Sequence, residues 1–281
     1  MTTAFALSGG ASLGAVEVGM LGALAEAGIE PDLLVGTSVG ALNAAYVAGR
    51  PGVAGVEELA TIWRGLNRDA VFPIQPLLGL LGFVGKRDHL VANTAIRKLI
   101  ASNVAFERLE DAATPLHVVA TEVIGGNDVV FSTGDAVDAI LASAAIPGVF
   151  PPVVIDGVPY MDGGVTENSP IGHAVGLHAD IVYVLPTGHP CSLKRAPRGA
   201  LGMVLQALTV LVGRQLVVDI ERYRNVVDLR VIPPLCPLDV SPVDFEHSGE
   251  MIDRAHDSTA AWLADGEPDQ GQLHILGGHD H

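Results

Sequence analysis

The chain has 281 residues, of which 49% are hydrophobic, 17% charged and 33 are glycine. Sixteen Lys and Arg against 32 Asp and Glu give a formal net charge of −16. Apolar content this high with charge this sparse excludes a disordered chain. The acidic balance excludes a nucleic-acid binder, which needs a basic surface.

Thr3 to Ser8 is a short apolar run without a preceding basic stretch, so it reads as a strand, not a signal peptide. Gly9-Gly10 ends it, and Gly14 to Ala27 follows as a helix with Val18, Leu21, Leu24 and Ala25 on one face and Gly28 as its stop. Asp32 to Val35 is too short for a helix and reads as a second strand; Val39 to Ala48 is helical and stops at Gly49-Arg50-Pro51. Val56 to Leu66 and Ala92 to Ser102 are further helices. Leu116 to Val123 and Val129 to Ser132 are strands joined by a hairpin-type turn at Gly125-Gly126-Asn127-Asp128. Asp135 to Ala145 is an amphipathic helix, Pro170 to His178 a short one, and Asp180 to Leu185 an apolar strand. Val226 to Val231 and Met251 to Leu263 close the series as a strand and a helix.

Apolar strands alternating with helices predict a three-layer α/β/α fold around a mostly parallel sheet covered on both faces. No repeat or linker divides the chain, so a single domain over 1–281 is expected. Its motif-bearing core is 3–185, with a helical or irregular C-terminal part over 186–281. The apolar run Leu77 to Val84 is too short to span a bilayer, and Gly199 to Val218 is interrupted by Gln206, Arg214 and Gln215. The first reads as core or as a flap, the second as core or as a lid. A cytoplasmic protein is expected, with at most transient contact at a membrane surface, since −16 opposes docking on anionic lipid.

Three segments point to chemistry. Gly36-Thr37-Ser38-Val39-Gly40 lies directly between a strand and a helix, where a tight turn presents the serine hydroxyl and the flanking glycines avoid a clash. The competing reading is a glycine-rich turn whose serine caps the next helix. Ser8 to Gly14 also joins a strand to a helix; its glycines let backbone N–H groups converge on an anion or an oxyanion. Gly9, Gly10 and Gly14 miss the dinucleotide spacing, and no Gly-Lys-Ser/Thr phosphate loop is present. Met161-Asp162-Gly163-Gly164 places a carboxylate at the end of a short strand, or is a plain Asp-Gly turn.

No metal and no cofactor are expected. Cys191 and Cys236 lie far apart without a CxxC pair. His173 and His178 share a short helix, His247 and His256 lie in the polar C-terminal fifth, and His274, His279 and His281 lie in the tail. No carboxylate–histidine cluster is visible in the spacing. His256 alone would complete a Ser, acid, His order.

Taken together, the segments resemble the patatin-like phospholipases, a family of Ser–Asp dyad lipid acyl hydrolases. Ala6 to Ala15 is similar to the family's oxyanion loop, Gly36 to Gly40 to its nucleophile motif, Ala142 to Pro152 to its proline-bearing block, and Met161 to Pro170 to its Asp-Gly-Gly motif with trailing Asn-x-Pro. The resemblance implies Ser38 as nucleophile and Asp162 as its base without histidine. It implies Gly9, Gly10 and Ala11 as oxyanion donors, with Gly36, Gly40, Gly163, Gly164 and Asn168 in support.

Ala11 stands where the family has a third glycine and Leu13 where it has a basic residue. Ala11 keeps its N–H, so the oxyanion hole survives if φ is negative there. Leu13 supplies no cation, which favours neutral esters or thioesters over phospholipid. A carboxylate is a weak base at its usual value near 3.9, so Asp162 must be partly desolvated. Activity is expected to fall on the acid side without a histidine-like step near neutrality. The substrate expected is a lipid or other acyl ester. An acyltransferase or thioesterase, a histidine-dependent esterase, and an inactive lipid-binding relative are the other readings; oligomeric state stays open.

Overall fold

The computed structural model describes residues 1–73, 87–188, 200–236 and 238–266. In chain order the elements are β1 (Thr3–Leu7), α1 (Gly14–Glu26), β2 (Leu33–Thr37), α2 (Val39–Gly49), α3 (Val53–Gly65), α4 (Arg68–Val71) and α5 (Thr94–Asn103). There follow β3 (Leu116–Glu122), β4 (Asp128–Phe131), α6 (Ala136–Ser143), β5 (Val153–Ile155), β6 (Val158–Asp162), α7 (Ile171–Gly176), β7 (Ile181–Leu185), α8 (Ala200–Tyr223), β8 (Asp228–Val231) and α9 (Ser248–Ala264).

The strands form one sheet in the order β5-β6-β3-β2-β1-β7-β8, with β4 also pairing with β3. The stretch from β3 through β2, β1 and β7 to β8 is parallel, whereas β4, β5 and β6 add antiparallel pairings at one side. Strand alternation separates two cores. Phe5, Leu7, Leu34, Tyr183 and Leu185 face a large core with α1, α2, α3 and α9. Ala4, Ala6, Val35, Val182 and Val184 face a smaller one with Ile171 of α7 and Leu216 and Ile220 of α8. Period-two side-chain direction along continuously apolar strands is what lets one sheet carry helices on both faces.

One expectation changes here. The single apolar face assigned to α1 is too narrow: Gly14 to Leu21, Ala23 and Leu24 are all buried, because α1 lies between the sheet and α9. Gly19 permits this approach, since a Cβ there would lie 2.2 Å from the Ile252 carbonyl oxygen. The segment read as core or as a lid, 199–218, belongs from residue 200 onward to α8, whose Leu216 joins the smaller core. Leu77 to Val84 lies outside the described residues. Among those described, no helix is long and apolar enough to cross a membrane.

The β5–β6 hairpin did not stand out in the sequence. Its loop is Asp156-Gly157, with φ of 51° and 82°, the backbone form that two-residue hairpins prefer.

Candidate functional site

Ser38 occupies the turn from β2 to α2 at φ 55° and ψ −124°, a conformation that a non-glycine residue holds only when its surroundings enforce it. Its neighbours explain the enforcement. A Cβ on Gly36 would lie 2.6 Å from the Ala41 Cα, and one on Gly40 would lie 2.4 Å from the Leu7 carbonyl oxygen. Only glycine at both places lets the turn close against β1 and the start of α2.

The Ser38 hydroxyl donates to Asp162 Oδ2 at 2.6 Å. The other carboxylate oxygen, Oδ1, accepts the Gly164 N–H at 2.8 Å. β6 carries Asp162 beside β3, where Thr121 Oγ1 donates to the Asp162 carbonyl at 3.0 Å. The Asp162 N–H donates to the Ala145 carbonyl at 2.9 Å. Gly163 opens a 3₁₀ turn, and its carbonyl accepts the N–H of Glu167 at 2.9 Å.

Both side chains of the pair are buried, Ser38 and Asp162 each at 6% exposure. Burial pushes the Asp162 carboxyl up to about 6, against the lowering effect of the bonds from Ser38 and Gly164. Desolvation penalises the charged form, which makes this carboxylate a stronger base than an exposed one. With Asp162 as base, the acid limb expected from the sequence would lie close to the ordinary histidine range.

Gly9 has a different task from the one expected. Its N–H donates to the Asn168 carbonyl at 3.0 Å. Its own carbonyl accepts from Thr187 Oγ1 at 2.7 Å and Asn168 Nδ2 at 3.2 Å. Both polar groups of this residue are committed to holding the loop, so Gly9 is an anchor. The N–H groups of Gly10 and Ala11 make no such bond among the described residues.

Ala11 does not meet the condition of a negative φ: its φ is +52°, in the left-handed region where the family's glycine would sit without strain. The following residue is fixed from far along the chain. Ser12 donates its N–H to the Pro242 carbonyl at 3.0 Å and its hydroxyl to the Ser241 carbonyl at 3.1 Å. Leu13 packs against the large core.

Beside Ser38 opens an apolar pocket whose lining includes Ala11, Leu42, Trp63, Phe72, Phe150 and Phe245. Behind it runs a buried polar chain: Trp63 Nε1 donates to Asn43 Oδ1 at 2.9 Å, and Asn43 Nδ2 to Glu17 Oε2 at 2.8 Å. Burial holds the Glu17 carboxyl well above the usual carboxylate range.

Sequence reasoning missed Ser143, Thr121, Thr187 and Glu17 as supports. Ser143 lies in the proline-bearing block, the one signal that pointed near it. His256 does not meet Ser38: its Nε2 lies 3.1 Å from Glu26 Oε2, at the opposite end of α1 from Gly14. One expectation about clusters also changes, because the fold brings His173 Nε2 within 3.0 Å of Asp128 Oδ2 and 2.9 Å of Glu167 Oε2.

A strand-to-helix serine bonded to a buried aspartate, beside an apolar pocket in an α/β/α fold, has the form of an acyl-transfer centre. The profile of the patatin-like phospholipases matches residues 5–175, a span that includes Ser38 and Asp162, and the chain belongs to that family. It is 31% identical over 184 residues to an uncharacterized NTE family protein of Mycobacterium tuberculosis, covering 65% of this chain and 48% of that protein. It is 27% identical over 190 residues to the lysophospholipase nte1 of Aspergillus terreus, covering 65% of this chain and 12% of that one. The match thus spans about half the mycobacterial relative and a small part of the fungal one. Among solved structures, VipD from Legionella pneumophila aligns with a TM-score of 0.49 and 14% identity over 94% of this chain and 67% of that chain.

Proposed function

We propose that the chain is a lipid acyl hydrolase that cleaves carboxylic esters through an acyl-Ser38 intermediate, with Asp162 as general base. The observation that carries this reading is the 2.6 Å bond from the Ser38 hydroxyl to a carboxylate that burial has made more basic. Asp162 takes the hydroxyl proton as Ser38 Oγ attacks the ester carbonyl. The N–H groups of Gly10 and Ala11, just before α1, face the developing oxyanion; one such donor is typically worth about 2.7–4 kcal/mol of barrier. Collapse of the tetrahedral adduct breaks the bond to the alcohol, which leaves with the proton from Asp162.

Water then gives a proton to Asp162 and attacks the acyl carbon. The second collapse frees the acid and returns the proton to Ser38. The acyl chain lies in the apolar pocket, between Leu42, Trp63, Phe72 and Phe150. Leu13 offers no cation to a phosphate, so neutral esters and thioesters suit the site better than phospholipid.

A fluorophosphonate probe tests the reading. The wild type is expected to be labelled at Ser38, and Ser38→Ala and Asp162→Asn to stay unlabelled while keeping their far-ultraviolet spectra. A folded wild type that resists the probe and turns over no p-nitrophenyl ester overturns it.

A further inference from the structure

We propose that Asp128, Glu167 and His173 form a binding site for one six-coordinate divalent transition-metal ion. The three come from separate elements: β4, the loop after Asp162, and α7. One ligand atom from each lies within 4.8 Å of the others. The site is independent of the hydrolase reading and shares no residue with the Ser38–Asp162 pair.

The orientation of the imidazole is the main observation. His173 Nε2 is shielded from solvent and lies 2.9 Å from Glu167 Oε2 and 3.0 Å from Asp128 Oδ2, pairing with both carboxylates when no ion is bound. A nitrogen aimed between two carboxylate oxygens is also well placed to share a cation with them. Two donors bound at right angles with bonds of about 2.1 Å lie about 3.0 Å apart, whereas a tetrahedral ion separates them by about 3.4 Å. The two spacings from His173 Nε2, 2.9 and 3.0 Å, match the right-angled case.

The surrounding charge and support fit as well. Asp219 of α8 is buried and adds a further carboxyl near Glu167. Carboxylates therefore outnumber the imidazole, a surplus that a divalent ion offsets. Glu167 Oε1 accepts the Gly172 N–H at 2.7 Å, which orients the carboxylate as outer bonds commonly orient metal ligands. The Asp128 side chain is 50% exposed, so the ion has an entry path and water can fill its remaining positions. One imidazole with two carboxylates suits Mn²⁺ or Fe²⁺ better than Ca²⁺, which takes oxygen alone.

The ion would act as a clamp. Thr37, next to Ser38, donates its hydroxyl to the Glu167 carbonyl at 2.9 Å, and the following residue, Asn168, holds Gly9. Fixing the Glu167 side chain to β4 ties down the loop that carries both contacts.

Titration of the full chain with Mn²⁺, followed by loss of the free-ion electron paramagnetic resonance signal, tests the proposal. One Mn²⁺ per chain is expected, with affinity falling at least about tenfold in both His173→Gln and Asp128→Asn. Added Mn²⁺ is also expected to raise the Tm of the wild type and not of the variants. Asp128 is half exposed, so Asp128→Asn remains informative where His173→Gln loses the fold. Absence of saturable binding, or binding unchanged in Asp128→Asn, overturns the site. Displacement of Mn²⁺ by an equal concentration of Ca²⁺ overturns the role of the imidazole.

Discussion

The hydroxyl of Ser143 accepts the backbone N–H of Ser38 at 2.8 Å and donates to the Val119 carbonyl at 2.5 Å. One buried side chain thus ties the strained nucleophile turn to the adjacent strand. Removing the hydroxyl leaves a buried donor and a buried acceptor unpaired, and each costs about 1–3 kcal/mol. Ser143→Ala is expected to lower thermal stability and to reduce kcat on a short p-nitrophenyl ester by about 10–100-fold, with KM nearly constant. Ser143→Thr, which restores the hydroxyl, is expected to recover much of the rate. Equal loss of kcat in both variants would remove the positioning role.

Asp162 carries a stability cost that has a sign. Its folded value of about 6 lies above the ordinary 3.8. Between these values the folded chain holds a proton that the unfolded chain releases, so stability falls as pH rises through that window. The loss is complete above the folded value, where the buried carboxylate is charged. Asp162→Asn removes it. The variant is expected to be inactive yet to melt about 4–8 °C higher at pH 7.5, a gap that closes below about pH 4. A wild type more stable than Asp162→Asn at pH 7.5 would show that the charge is stabilising.

Under the proposed mechanism the same carboxyl sets the pH–rate profile. Below its value of about 6, kcat/KM is expected to fall tenfold per pH unit as Asp162 takes up a proton. Position on the pH axis does not distinguish this limb from a histidine. Mutagenesis does: the limb is expected to persist in His247→Gln and His256→Gln, and its disappearance in either would assign it to that imidazole.

Ala11 holds φ +52°, where an L side chain costs about 1–2 kcal/mol. Glycine relieves that cost and gives back part of it as entropy of the unfolded chain. Ala11→Gly is expected to raise stability by about 0.5–1 kcal/mol in urea unfolding and to leave ester turnover within a few-fold. A drop in stability would mean that the methyl group packs better than its backbone strain implies.

Leu42 lines the apolar pocket beside Ser38. Leu42→Trp adds bulk there and is expected to shift preference toward short acyl chains, lowering kcat/KM about tenfold or more for long esters and little for acetate. An unchanged chain-length profile would move the acyl group elsewhere.

Local signals carried much of the architecture. β1, β2, β3 and β7 are continuous apolar runs, and the serine and aspartate turns are marked by adjacent glycines that the backbone needs. β5 is only Val153 to Ile155, too short to stand out among prolines, so its hairpin was invisible. The roles within Gly9 to Ala11 depended on Asn168 and Thr187, distant partners that no local spacing records. The metal-ligand geometry of Asp128, Glu167 and His173 is likewise a product of topology: β4 pairs with β3, β6 pairs with it on the other side, and the loop after β6 leads into α7.

The link from Ser12 to Ser241 and Pro242 has a consequence for biosynthesis. Ser12 precedes Ser241 by 229 residues, so two polar groups of the loop between β1 and α1 find their partners only after residue 242 has been made. A nascent chain that already carries Ser38 and Asp162 therefore lacks both of these bonds.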